Sequence, residues 1–205
     1  MPIPPECPEL FEQALNDHLS VMRSLPAQMS VLERIAVQMN RAVLGGNKIL
    51  LFGNGGSAAD AQHLAAELVG RFRRERRGLP AIALTTDTSI LTAVANDFGY
   101  NDVFLRQIEA LCVQGDVVIG LSTSGNSRNV CSALRRARDL GAITVAFTGA
   151  GGGLAAGVAE LALCIASTDT ARVQEAHIFC GHMLCDWVEL SVCQTLPSES
   201  EKLPR

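Results

Sequence analysis

Residues 48–70 read KILLFGNGGSAADAQHLAAELVG. The first six, Lys48 to Gly53, form an apolar run with no polar alternation, the pattern of a strand covered by helices on both faces. A turn of small residues follows. From Ser57 to Val69 the chain is alanine-rich and free of breakers, which predicts a helix. A strand that passes through a glycine turn into a helix is the opening unit of an α/β domain. The alternation recurs downstream. Apolar runs at AIALT (Ala81 to Thr85), DVVIGLS (Asp116 to Ser122), AITVAFT (Ala142 to Thr148) and ELALCIA (Glu160 to Ala166) predict four more strands, each apolar on both faces. Helices are expected at Ser89 to Asn96, Val103 to Cys112 and Asn126 to Leu140, with a long last one from Ala171 to about Gln194. The expected fold is α/β, a doubly wound five-stranded parallel sheet, and its strand order is assumed to be the flavodoxin-like 2-1-3-4-5, which the alternation by itself does not fix.

Before this body, apolar positions Phe11, Leu15, Leu19 and Met22 recur at helical spacing, Pro26 interrupts, and Leu32, Ile35, Met39, Ala42 and Val43 continue the pattern to Gly45-Gly46. An N-terminal helical hairpin or kinked helix is expected, packed on something, a second subunit among the candidates. The whole chain, 1–205, is read as one domain: N-terminal helices over about 1–45, the α/β body over 46–196, and a loose polar tail, PSESEKLPR, over 197–205.

Of the 205 residues 48% are apolar, yet no run approaches the eighteen or so needed to span a membrane. The start, MPIPPECPEL, lacks the basic then apolar profile of a signal peptide, so a soluble, cytoplasmic protein is expected. A net charge of −4 argues against nucleic acid as a partner. The one basic run, RFRRERR from Arg71 to Arg77, is either a solvated face or a grip on an anion. Seven cysteines, odd in number and without a CxxC pair, fit neither a disulfide framework nor a zinc ribbon, and most are expected as small buried hydrophobes.

Two strands end in small-residue loops that open helices, GNGGSA after the first and STSGNS (Ser122 to Ser127) after the third. Such loops bring backbone N–H groups and hydroxyls to an anion at a helix start. In the order 2-1-3-4-5 both face one crevice at the switch point. A dinucleotide fingerprint, Gly53-x-Gly55-x-x-Ala58, is a weak match because the next acidic residue after a second strand, Asp87, comes too late. Neither loop has the lysine of a nucleoside triphosphate site. Ser122, Thr123, Ser124 and Ser127 instead suit a monoester phosphate; a loop that merely caps a helix at Ser124 or Asn126 is the alternative.

Four residues apart on a helix, His63 and Glu67 project about 40° apart, on one face. Two more of the chain's four histidines lie in QEAHIFCGH, Gln174 to His182. If the two helices meet, His63, Glu67, Gln174 and His182 make either a ligand set for a divalent metal or an acid and base pair.

GNGGSAADAQH, AxELxGRF, ANDFGYNDVF, GDVVIGLSTSGNS and RVQEAHxxxxH together resemble the bacterial phosphoheptose isomerases, which carry the sugar isomerase (SIS) fold, and the similarity runs from about Phe11 to Leu190. The resemblance implies conversion of sedoheptulose 7-phosphate to D-glycero-D-manno-heptose 7-phosphate, the first step toward ADP-heptose of the lipopolysaccharide core. It implies a homotetramer with active sites between subunits. Carried over by position, Glu67 is the base that moves a proton between C1 and C2, and His182 is the complementary acid. Zinc, where the family binds it, is held by His63, Glu67, Gln174 and His182. Ser122, Thr123, Ser124 and Ser127 hold the phosphate, while Asn54, Gly55, Gly56, Ser57, Asn96, Asp97 and Gln174 surround the sugar. Arg71 matches a family position near the site.

The resemblance is incomplete at two places: Ala171 stands where some members have an acidic residue, and TGAGGGL lacks the polar residues that the family often has at Ala150 and Gly151. A related SIS-fold tetramer that binds the replication initiator is the alternative. The resemblance implies that this regulator lacks the equivalents of Glu67 and His182 and has an arginine at the position of Ser124. This chain has all three residues.

Overall fold

The computed structural model describes residue 4 and residues 6–195, so the tail expected over 197–205 lies outside the described residues. In chain order the elements are α1 (Cys7–Ser24), α2 (Met29–Leu44), β1 (Ile49–Gly53), α3 (Gly56–Val69), β2 (Ala81–Ala83), α4 (Thr88–Phe98), α5 (Leu105–Leu111), β3 (Val117–Ser122), α6 (Arg128–Asp139), β4 (Ile143–Thr148), α7 (Gly153–Val158), β5 (Leu161–Cys164) and α8 (Thr170–Thr195). All strand pairs are parallel, in the order β2-β1-β3-β4-β5. Hydrogen-bonded to both β2 and β3, β1 lies beside the point where the winding reverses, and the loops after β1 and β3 are neighbours there.

Burial explains why the central strands show no alternation. Ile49 and Leu51 of β1 join one core, with α2, α3 and α8, while Leu50 and Phe52 join the other, with α5, α6 and α7. Covered on both faces, such a strand has no position for a polar side chain. The edge strands depart from that expectation. In β2 Ile82 is 39% exposed, and in β5 buried and half-buried residues alternate. The reason at β2 is α4, which buries none of its own residues and so does not seal the outer face of the sheet there. Helix α7 was not expected, being short and opened by Gly152 and Gly153.

The N-terminal segment is a kinked helix rather than a hairpin. A 3-10 turn at Leu25–Gln28 keeps the chain helical through Pro26, and α1 packs on α8 instead of folding back on α2. Arg172 donates to the Ala14 carbonyl at 2.8 Å, and His18 Nδ1 lies 2.8 Å from Glu175 Oε2. The other face of α1 is open, with Leu10 66% and Phe11 69% exposed.

At the end of the sheet away from these loops, the fully buried Asp116 ties β1 to β3. It accepts from the backbone N–H of Lys48 at 3.0 Å and of Val113 at 2.9 Å, and pairs with Lys48 Nζ at 2.7 Å. Burial pulls its pKa up, but Lys48 and the two N–H groups outweigh that and hold the carboxyl below the usual range. A depressed carboxylate contributes stability above its unfolded-state pKa of about 3.9 and loses it as pH falls through the folded value. Asp116→Ala should therefore cost about 3 kcal/mol at pH 7 by urea unfolding, and the gap to the wild type should narrow below about pH 4.

Candidate functional site

Helix α3 begins where β1 can turn most tightly. A side chain at Gly53 would meet Ser57 Cβ at 2.7 Å and the Leu121 carbonyl at 2.8 Å, and Gly55 has φ +57°, a left-handed value that favours glycine. Gly56 lies against the Gln174 amide, which would be 2.4 Å from a Cβ there. Further along, a Cβ at Gly181 would fall 2.6 Å from both methyl carbons of Leu64. Gln174 beside Gly56 and Gly181 beside Leu64 mean that α3 and α8 run side by side in the same direction. A glycine inside a helix sacrifices about 1 kcal/mol of helix propensity relative to alanine, and here it lets two helices close to contact.

That closeness brings the polar residues together. His63 Nε2 and His182 Nε2 are 2.8 Å apart, and His63 Nε2 is 3.4 Å from Glu67 Oε1. The three groups can place one ligand atom each within 4.8 Å of one another. At 2.8 Å one imidazole donates and the other accepts, so the pair holds at least one N–H. The Phe72 ring stacks on His182, with centroids 5.4 Å apart at 21°. Burial, then the charges of His63 and Arg73, push the His182 pKa down against the pull of Glu67. His182 is therefore a neutral imidazole near pH 7, the form that ligates a metal.

Two imidazoles and a carboxylate suit zinc, whose tetrahedral ligand atoms, each at about 2.0–2.2 Å, are about 3.3–3.5 Å from one another. The His63–Glu67 separation already has that value; the two histidines would open by about half an ångström. Gln174, the fourth expected ligand, begins two turns up α8, about 12 Å along the axis, with its amide on Gly56. Asp60, one turn before His63, was not singled out in the sequence. Burial pushes its carboxyl up to about 6 against the pull of His63, and its buried Oδ2 has no partner among the described residues.

In the second loop, Ser122 and Ser127 share a hydrogen bond at 2.9 Å, and Ser124 Oγ accepts from the Asn126 N–H at 3.1 Å. The backbone N–H groups of Ser124 and Ser127 find no acceptor among the described residues, as a helix-start anion site requires. Thr123 is tied down through its carbonyl, which accepts from Gly149 N at 2.9 Å. Gly125, with φ +66°, packs on Gly152 so closely that a Cβ would lie 2.2 Å from that carbonyl oxygen. Gly149, Gly152 and Gly153 of TGAGGGL thus brace the serine loop by backbone contact, whereas a Cβ at Gly151 would meet nothing within 4 Å. Asn54 ties the first loop to the start of α6, the helix that the second loop opens. It exchanges two 2.9 Å hydrogen bonds with Asn129 of α6, and Tyr100 donates to its Oδ1 at 3.1 Å. Neither Asn129 nor Tyr100 stood out in the sequence, because their partners are distant in the chain.

The remaining expected site residues make local contacts. Ser57 is buried in the first turn of α3, Asn96 and Asp97 bond to each other on exposed α4, and Arg71 pairs with Glu75 at the surface. Within the basic run Arg71, Arg73 and Arg77 are exposed, as on a solvated face, while the other two arginines are tied to α8. Arg76, with a 4% exposed side chain, pairs with buried Glu189, and Arg74 pairs with Asp186. Of the seven cysteines, Cys112, Cys131, Cys180 and Cys185 are buried, as expected of most.

Comparison with known proteins gives a consistent match. The SIS domain family model matches residues 11–149. A phosphoheptose isomerase of Aquifex aeolicus is 63% identical over 75% of this chain and 80% of its own length, and one of Geobacter metallireducens is 54% identical over 85% and 93%. The solved phosphoheptose isomerase of Neisseria gonorrhoeae superposes with a TM-score of 0.80 at 39% identity, covering 90% of this chain and 97% of that one.

Gly181→Ala sets about 1 kcal/mol of helix propensity against about 1–3 kcal/mol of overpacking on Leu64. Chelator competition should then show metal held about tenfold more weakly, with unchanged far-UV circular dichroism.

Proposed function

Because the chain belongs to the SIS-domain phosphoheptose isomerases, and is thereby a phosphosugar isomerase, we propose that it converts sedoheptulose 7-phosphate to D-glycero-D-manno-heptose 7-phosphate. The observation that carries this reading is the His63–Glu67–His182 cluster where α8 meets the helix that the first loop opens, with that loop bonded through Asn54 to the start of α6, which the anion-ready serine loop opens. Ser122, Thr123, Ser124 and Ser127 anchor the phosphate, whose binding energy fixes the reacting carbons at a distance. Asn54, Gly55, Gly56, Ser57, Gln174 and Arg71 surround the sugar.

Glu67 takes a proton from C1 of the ketose and returns it to C2, by way of an enediol. His182 carries the second proton, from the C1 oxygen to the C2 oxygen. Zinc held by His63, Glu67, Gln174 and His182 would polarise the substrate carbonyl. The metal-ligand and acid roles both draw on the ring nitrogens of His182, so activity with and without zinc distinguishes them.

Asn96 and Asp97 complete the site from a neighbouring chain in a homotetramer. Support comes from α4, which buries none of its residues, and from the open apolar face of α1. The described chain is taken as one SIS domain acting in the cytoplasm; no helix among the described residues is long and apolar enough to cross a membrane. Its product is destined for ADP-heptose and the lipopolysaccharide core. The regulator reading finds no support in the comparisons.

The test is an NMR time course of the metal-free chain with sedoheptulose 7-phosphate, repeated with zinc. New aldose anomeric signals are expected, and Glu67→Gln should slow their growth about a hundredfold or more. Folded protein that yields no product in either run would overturn the reading. Light scattering should give four copies of the 21.8 kDa chain; a monomer would remove the shared sites.

A further inference from the structure

We propose that Glu189 is a positioning residue for this site, one that aligns both His182 and Glu67 without touching substrate. The inference rests on the isomerase reading. Glu189 lies seven residues after His182 on α8, two turns on and about 20° around the helix. Its side chain is fully buried. Oε1 accepts from the Phe72 N–H at 3.0 Å, and Oε2 accepts from the N–H groups of Arg73 at 2.8 Å and Arg74 at 2.9 Å. Three consecutive N–H groups around one carboxylate form an anion-binding concavity made by the chain itself. Arg76 Nε adds an ion pair at 3.3 Å, off the angle of a hydrogen bond.

Two lines run from this carboxylate to the site. Held by its N–H, Phe72 places its ring on the His182 imidazole, which in turn meets His63. Held by its Nε, Arg76 donates from Nη2 to the Glu67 carbonyl at 2.9 Å and from Nη1 to the Gly70 carbonyl at 3.0 Å. The Glu67 carbonyl lies in the last turn of α3 and that of Gly70 at its C-cap, and no backbone N–H among the described residues pairs with either, so Arg76 caps the turn that carries Glu67. A tie that only fastened the 71–77 segment to α8 could be made by apolar packing, without burying a charge. The carboxylate instead dictates where three named N–H groups stand. Burial works to raise the Glu189 pKa, and the three N–H groups with Arg76 overcome it, so the anion persists at neutral pH.

The test uses full-length protein loaded with zinc and compares Glu189→Gln, Phe72→Leu, Phe72→Tyr and the Glu189→Gln/Phe72→Leu double variant. For each, kcat, KM, zinc affinity by chelator competition and thermal midpoint are measured. Glu189→Gln keeps the volume but loses the charge and one acceptor oxygen. It should lower kcat and zinc affinity each about tenfold or more, with KM within about threefold. Phe72→Leu should show a similar loss, and Phe72→Tyr, which keeps the stacked ring, should stay near wild type. Because both changes act on one coupled unit, the double variant should lose less than the product of the single losses. A lowered thermal midpoint with kcat and zinc affinity unchanged would overturn the proposal, as would fully multiplicative losses. If Glu189→Gln does not fold, Phe72→Leu decides: wild-type kcat and zinc affinity there sink the idea. An inactive wild type would instead remove the isomerase reading, and the zinc affinities alone would then decide the positioning role.

Discussion

At Gly181 the interface between α3 and α8 has no room for a methyl group, and the placement of every polar group in the cluster follows from that contact. Side chains usually hold packed helices about 8–10 Å apart. Removing one at Gly181, opposite Leu64, and another at Gly56, opposite Gln174, draws the two helices together along the stretch that carries His63, Glu67 and His182. Two imidazole nitrogens 2.8 Å apart are the direct result. The sheet contributes direction: α3 leaves β1 beside the point where the winding reverses, so its first turn faces the serine loop after β3.

The site is built from backbone as much as from side chains. Gly125 against Gly152 braces the serine loop through main-chain contact, and three main-chain N–H groups bind Glu189. Such parts are stiff, because a backbone fixed by both neighbours has little freedom left to adjust. The exposed parts, by contrast, are whole helical faces. On α1 and α4 the apolar residues await a covering surface, and the proposed tetramer supplies one with the same chemistry as the core.

The five strands and the main helices were legible because the central strands are covered on both faces and each helix opens after a glycine or polar turn; the strand order was assumed, since a strand's own residues do not name its neighbours, and the sheet has that order. The edges were not, since Ile82 carries the apolar signature of a covered strand while standing half open. At the site, helical spacing pointed to His63 with Glu67, but nothing local said that α8 would meet α3. The proof lay in Gly181, which in sequence is only a glycine within a helix. The arginine run was legible as charge and illegible as architecture. Its contact with Glu189 spans more than a hundred residues and works through backbone N–H groups that any sequence possesses. Asn54 with Asn129 was hidden for the same reason.

The most direct test of the α3–α8 crossing as a metal-holding catalytic centre is anomalous diffraction at the zinc edge from crystals of the chain grown with zinc. One peak per chain is predicted between His63 Nε2 and His182 Nε2, within about 2.0–2.2 Å of both nitrogens and of a Glu67 oxygen. Two imidazoles still hydrogen-bonded to each other, with no peak between them or with zinc bound elsewhere, would contradict the account.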